Sequence, residues 1–430
     1  MIRILSVLVA GFCSSLVATE APKNVIMVIG DGMGPAYTTA YRMYADDPVT
    51  AEVEETVFDR LLVGMASTHP DLNTGYVTDS AASATALSSG VKTYNGAIGV
   101  DVDKKSVQTV LELAKKQGRK TGVAVTSQIN HATPAGFSSH NESRQNYDAI
   151  ADSYFDDKID DHFVLDVMLG GGWKYFIRED RNLVEQFQKA GYQYVDNYEQ
   201  LSIVKPNVPL LGLFADVGLP WALDSEGKQR LPALAKAAIK QLENEKGFFL
   251  LVEGSQVDWA GHANDVAAAM AEMHDLALTL EWLEDYVQSH DNTLMVITAD
   301  HSTGGLTIGA NRIYNWEPSV LKDLKASPEE IAKMLVSAKD RARLASSFLG
   351  FELTSEEEKQ LANLESDNAR VFHQAITRIL DNHSITGWTT GGHTGVDVPV
   401  MAIGTGSERF RGYLDNTQIA ENIFDLLKAK

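Results

Sequence analysis

Apolar runs that break abruptly into polar clusters recur along this chain. The first is Lys23-Asn-Val-Ile-Met-Val-Ile-Gly-Asp-Gly-Met-Gly34. It is continuous rather than alternating, as expected of a strand buried on both faces of a parallel sheet. Four more runs follow. Thr121–Thr126 leads into Ser127-Gln-Ile-Asn-His-Ala-Thr-Pro134, and Phe248–Val252 into Glu253-Gly-Ser-Gln-Val-Asp258. Thr293–Thr298 leads into Ala299-Asp-His-Ser-Thr303, and Val398–Ile403 lies near the C-terminus. Helical periodicity separates them, as in Val107–Gln117 and Pro232–Glu245. This predicts an α/β fold: a central, mostly parallel sheet sandwiched by helices. Ligands in such sheets bind beyond the carboxyl ends of the strands. Four of those ends carry Asp31, His131 with Thr133, Glu253 with Asp258, and Asp300 with His301. Together they point to a shared metal site.

Two intervals depart from the pattern. Residues ~135–230 have weaker periodicity and carry Arg144 and a Gly170-Gly-Gly-Trp173 turn. Residues 311–385 are charged and helical, with helix-start signals at Ser327-Pro-Glu-Glu330 and Thr354-Ser-Glu-Glu357. This second interval reads as a helical cap inserted over the active edge of the sheet.

Composition narrows the function. With 430 residues, 44% of them hydrophobic, the chain can bury a large core. Its 37 basic and 58 acidic residues leave a formal charge of −21, and no basic tract is present. Nucleic-acid binding is not expected, and an anionic substrate needs a locally positive pocket. Residues 1–19 combine Arg3, a short apolar run and small residues, the form of a secretory signal peptide. Residues 20–430 then form the mature catalytic domain, periplasmic or secreted, with no membrane anchor. The single cysteine, Cys13, leaves with the signal, so any zinc must be held by His and carboxylates.

Tyr76-Val-Thr-Asp-Ser-Ala-Ala-Ser-Ala-Thr-Ala-Leu87 opens from a polar turn into an Ala-rich helix. Thr78, Asp79 or Ser80 can each cap it. A helix N-terminus also suits a phosphate, and a hydroxyl there can attack phosphorus if its pKa is lowered. Asp258 and His262, four apart, share one face of a helix. Asp300 and His301 are adjacent in a turn, and His393 sits in a Gly-rich loop. Taken singly, each has a routine reading as a cap, a surface contact or a solvated loop residue.

Six motifs resemble the alkaline phosphatase family. They are Val28-Ile-Gly-Asp-Gly-Met-Gly34, Val77-Thr-Asp-Ser-Ala-Ala-Ser-Ala-Thr-Ala86, His131-Ala-Thr-Pro-Ala135, Val252-Glu-Gly-Ser-Gln-Val-Asp-Trp-Ala-Gly-His262, Thr298-Ala-Asp-His301 and Gly391-Gly-His-Thr-Gly395. They occur in the family's order from ~25 to ~405. The resemblance implies hydrolysis of small phosphate monoesters through a phosphoserine on Ser80, with two zinc ions and one magnesium. It implies one zinc on Asp258, His262 and His393, and a second on Asp31, Asp300 and His301 with Ser80. Magnesium falls to Asp31, Thr133 and Glu253, and Arg144 becomes the phosphate clamp. It further implies a homodimer. His131 and Trp259 stand where certain bacterial members have Asp and Lys. The pair is similar to a branch found in marine bacteria, and His131 is expected just outside the magnesium ligands. The alternatives are a related two-metal phosphodiesterase or sulfatase, and a phosphate- or metal-binding protein without turnover.

Overall fold

The computed structural model describes residues 21–225 and 229–429. The proposed signal peptide lies outside them. Ten strands form the main sheet. They are β1 (Asn24–Gly30), β2 (Leu62–Ser67), β3 (Lys120–Gln128), β4 (Val167–Gly171), β5 (Gln193–Val195), β6 (Leu210–Leu213), β7 (Phe248–Gly254), β8 (Thr293–Thr298), β9 (Val398–Gly404) and β10 (Gly412–Asp415). Their spatial order is β10-β2-β9-β8-β1-β7-β3-β4-β6-β5.

All pairings are parallel except the two made by β9, which runs against β8 and β2. The sheet is therefore mostly parallel, but Val398–Ile403 departs from the direction of the other apolar runs. β1, β7 and β8, and β3 over Thr121–Gln128, are buried throughout apart from half-buried Asn24. The apolar runs of β1, β7 and β8 are what two covered faces require. One helical layer contains Ser80–Ser89, Val110–Lys116, Ala132–Ser138 and Asn416–Lys428. The other is built on Arg230–Leu242 and the long helix Val266–Gln288.

Register explains the position of the site. Ile29 pairs with Thr298 on one side and with Glu253 on the other, and Glu253 pairs with Val125. Asp31 and Asp300 each lie two residues past that level, so both emerge with Glu253 at the same edge.

The weakly patterned interval holds three short strands at one end of the sheet, β4 to β6, of three to five residues each, with β5 at the edge. Runs this short show too little periodicity to separate strand from loop. Residues 311–385 contain helices Pro328–Ser337, Arg341–Leu349, Ser355–Ala362 and Ala369–Ser384. Ser327 caps the first by accepting from the Glu330 N–H, and Thr354 with Glu357 makes a capping box at the third. Ile331, Leu335, Phe372 and Ile376 join the same buried apolar cluster as the sheet. No helix among the described residues is long and apolar enough to cross a membrane.

Candidate active site

Ser80 is the first residue of the helix Ser80–Ser89, and Asp79 caps it by accepting from the Ala82 N–H at 3.0 Å. Of the three possible caps, the carboxylate takes the role. Ser80 itself is left to face the sheet edge, buried, with its Oγ 3.1 Å from His301 Nε2. Asp79 also receives Arg144: Nη1 donates to Oδ2 at 3.0 Å. Arg144 Nη2 lies 3.2 Å from His131 Nε2, where only the guanidinium can donate. The clamp candidate is thereby held beside the nucleophile candidate.

Donor atoms of three residue sets approach within 4.8 Å of one another: Asp258, His262 and His393; Asp31, Asp258 and His301; and Asp31, His131 and Glu253. Asp258 links the first two and Asp31 the last two. The expected second set named Asp300 where this geometry brings in Asp258. Asp300 remains adjacent, with Oδ2 3.2 Å from His301 Nε2, while its Oδ1 accepts from the backbone N–H of Gly32 and His301. His131, expected just outside the magnesium ligands, lies close enough to share an ion with Asp31 and Glu253. Thr133 adjoins Glu253. The Trp259 ring meets His131 edge-on, with centroids 6.0 Å apart.

The chemistry of these donors calls for cations. His262 Nδ1 is 2.7 Å from the Gly391 carbonyl, and His393 Nδ1 is 2.8 Å from that of Thr78. A carbonyl only accepts, so each Nδ1 carries the hydrogen and each neutral ring keeps a lone pair on Nε2. Those two lone pairs face each other at 3.1 Å, with Asp258 oxygens 3.4 and 3.5 Å away. A shared metal ion turns this repulsive set of acceptors into a coordination site. Both Asp31 oxygens, Asp300 Oδ2, Glu253 Oε1 and Thr133 Oγ1 are likewise buried without a hydrogen-bond partner. Buried polar atoms are normally paired.

Charge makes the same demand. Burial raises the Asp31 pKa well above the usual carboxylate range, and Asp300, Asp258 and Glu253 push it further. Glu253 rises to about 7, chiefly through burial. Burial opposes a charge on His301, yet the Asp300 carboxylate outweighs it and the shift is upward. At an effective dielectric of ~20, two like charges ~4 Å apart repel by ~4 kcal/mol. That is a sizeable fraction of a domain's whole stability, ~5–15 kcal/mol. Divalent ions remove the conflict.

Trp259, His262 and the Gly-rich loop border a cavity of about 1050 Å³, whose far wall is the helix Ala369–Ser384. The family model described as alkaline phosphatase matches residues 22–429. The chain belongs to the alkaline phosphatase family. Alkaline phosphatase 3 of Bacillus subtilis (strain 168) is 47% identical, over 94% of this chain and 89% of its own. The crystal structure of a cold-active alkaline phosphatase from a psychrophilic Shewanella species shares 51% identity. It superposes with a TM-score of 0.89, covering 94% of this chain and 99% of the other. The alkaline phosphatase of the Antarctic bacterium TAB5 is 27% identical with a TM-score of 0.70, covering 96% and 99%. A variant of the TAB5 enzyme with a histidine replaced by aspartate is described with magnesium in its M3 site. This chain is thus an enzyme of a metal-dependent phosphatase family, with side-chain clusters suited to metal ions.

Some groups in this alkaline phosphatase site escape sequence reading. The carbonyls of Gly391 and Thr78 orient two histidines, and backbone has no sequence signature. Thr303 Oγ1 donates to Asp258; its place two residues after His301 was the available signal. Ser255 Oγ donates to Ser127 Oγ at 3.0 Å, and Ser127 Oγ contacts Glu253 Oε2 at 3.4 Å.

Proposed function

We propose that this protein is a secreted or periplasmic phosphomonoesterase that works through a phosphoserine on Ser80. The observation that carries this reading is the Ser80 hydroxyl, 3.1 Å from His301 Nε2 among buried carboxylate oxygens that have no hydrogen-bond partner. Asp258, His262 and His393 suit zinc, as does the set around His301 with Asp31, Asp300 and Ser80. Asp31, Glu253 and Thr133, with His131 beside them, suit magnesium. The magnesium described in a TAB5 variant supports that choice. When bound, such ions supply Lewis-acid charge to phosphoryl oxygens and favour ionised oxygen nucleophiles.

This chain's own groups do the rest. Arg144 presents a planar fork that binds two phosphoryl oxygens and is kept in place by Asp79. Ser80 Oγ attacks phosphorus in line; the P–O bond to Oγ forms as the bond to the alcohol breaks. Water then displaces Ser80 and inorganic phosphate leaves. The alcohol departs away from Ser80, towards His262, the half-exposed member of the set. Secretion rests on the form of residues 1–19. A homodimer is supported by exposed apolar side chains beside the His393 loop, among them Tyr76, Val77 and Val396.

Ser80→Ala tests the reading. The variant should keep its fold and bound metal, and lose turnover of nitrophenyl phosphate by more than about a hundredfold. Acid-quenched wild type should carry phosphate on Ser80. Unchanged turnover removes Ser80 from the role. Faster hydrolysis of the corresponding diester or sulfate would assign the site to one of those reactions instead.

A further inference from the structure

We propose that the cavity beside His262 is a leaving-group subsite selective for phosphomonoesters whose alcohol carries a second anionic group, phosphate or carboxylate. This rests on the phosphomonoesterase reading above and extends it to substrate class. His262, which clusters with Asp258 and His393, lines this cavity together with Gly391, so an alcohol leaving past His262 enters it. Trp259, His262 and Trp388 form its near wall, and the helix Ala369–Ser384 its far wall. Its volume, about 1050 Å³, accommodates a small organic molecule beyond the phosphate.

The far wall is basic for a reason visible in the helix. Phe372, Ile376, Ile379 and Leu380 are buried. Arg370, Gln374 and Arg378 follow each other at intervals of four, so they fall on another face, and all three line the cavity. Arg42, Arg60, Arg178 and Arg181 are paired with carboxylates, whereas Arg312, Arg343 and Arg411 have side chains unpaired among the described residues but do not line this cavity. Among the described residues the guanidiniums of Arg370 and Arg378 have no hydrogen-bond or ion-pair partner; Arg370 is bonded only through its backbone N–H. Two carboxylates lie on this side, each with a hydrogen-bond partner, and Asp381 also feels the charge of Arg378. Asp381 accepts from Trp388 Nε1 at 2.9 Å, and the Asp265 carboxylate meets His373 Nε2 at 3.1 Å. In a chain of formal charge −21, the guanidiniums of Arg370 and Arg378 outnumber the one acidic residue lining this cavity, Asp381, and make its wall locally positive. That charge draws in and orients an anion the rest of the surface repels. Their forked donors suit phosphate and carboxylate alike.

The test uses full-length, metal-loaded enzyme and three substrates: glycerol phosphate, phosphoglycerate and a sugar bisphosphate. In the Arg370→Ala/Arg378→Ala double variant, KM for the two anionic-alcohol substrates should rise about fivefold or more at low salt, with kcat within about twofold. Glycerol phosphate should change by less than about twofold, and the double Lys variant should retain the preference. Added salt should shrink the wild-type preference. A contribution from the carboxylate alone, or from the second phosphate alone, shows which anion the arginines take. An equal change on all three substrates, or no change on any, overturns the proposal. Failure of wild type to hydrolyse even glycerol phosphate overturns the phosphomonoesterase reading instead.

Discussion

Asp79 joins Arg144 to the start of the helix that carries Ser80. One carboxylate oxygen accepts from the Ala82 N–H and the other from Arg144 Nη1, each at 3.0 Å. Burial works against the charge on Arg144, but Asp79 more than compensates and raises its pKa. One side chain thus sets the relation between the attacking hydroxyl and the clamp.

Arg144→Ala should weaken inhibition by inorganic phosphate by roughly tenfold or more, since a hydrogen bond to a charged group contributes ~1.5–3 kcal/mol. Asp79→Ala should reproduce part of that loss and also cost about 1 kcal/mol of stability through the missing cap. Phosphate inhibition constants and thermal melts of both variants check this. Equal inhibition of Arg144→Ala and wild type would contradict the clamp.

Removal of metal should lower thermal stability as well as activity. Without cations the buried oxygens of Asp31, Asp300 and Glu253 lack partners, and burial with mutual repulsion raises the pKa of Asp31 and Glu253; ions that bind only the folded state relieve this and stabilise it by mass action. Dialysis against chelator should lower Tm by several degrees, and zinc with magnesium should restore it. A Tm indifferent to chelation would count against the clusters as metal sites.

Gly261 lies one residue before His262 on the helix Gln256–Ala263. A Cβ there would fall 2.4 Å from Tyr37 Oη and 2.9 Å from Thr303 Cβ. Thr303 is itself bonded to Asp258, so relief of the clash displaces a metal-ligand candidate. Gly261→Ala should destabilise the protein by ~1–3 kcal/mol and reduce bound metal. Denaturant melts and elemental analysis would show both losses; wild-type values for both would mean that the helix can shift freely.

Asp381 gives a pH dependence outside the metal clusters. Burial raises its pKa from 3.8 to about 7, despite the hydrogen bond from Trp388. A carboxyl raised in the folded state binds its proton more tightly there than in the unfolded chain. Its favourable contribution is full below ~4 and is lost as pH rises through ~7. Asp381→Asn should therefore gain in Tm relative to wild type as pH rises from ~4 to ~8. A Tm difference that stays flat over that window would refute the shift.

The motifs were visible in the chain because strand ends in a parallel sheet gather at one edge. An apolar run followed by Asp, Glu or His marks such an end without knowledge of its neighbours. The continuous burial of β1, β3, β7 and β8 likewise follows from residue type, as do the caps at Ser327 and Thr354. The short strands β4 to β6 at one end of the sheet were not legible. Their few residues carry no period, and pairing with an existing edge decides their structure.

Linear order therefore determined which side chains are available for phosphate chemistry and the layered class of fold that gathers them. Only the tertiary structure decided that Asp79, rather than Thr78 or Ser80, caps the helix. It alone decided that Asp258 is close enough to serve two clusters, that His262 and His393 turn their free nitrogens towards each other, and that Arg370 and Arg378 line a cavity beside them. These relations depend on backbone carbonyls, strand register and packing between segments that are distant in the chain. None of those leaves a local trace in the amino-acid pattern.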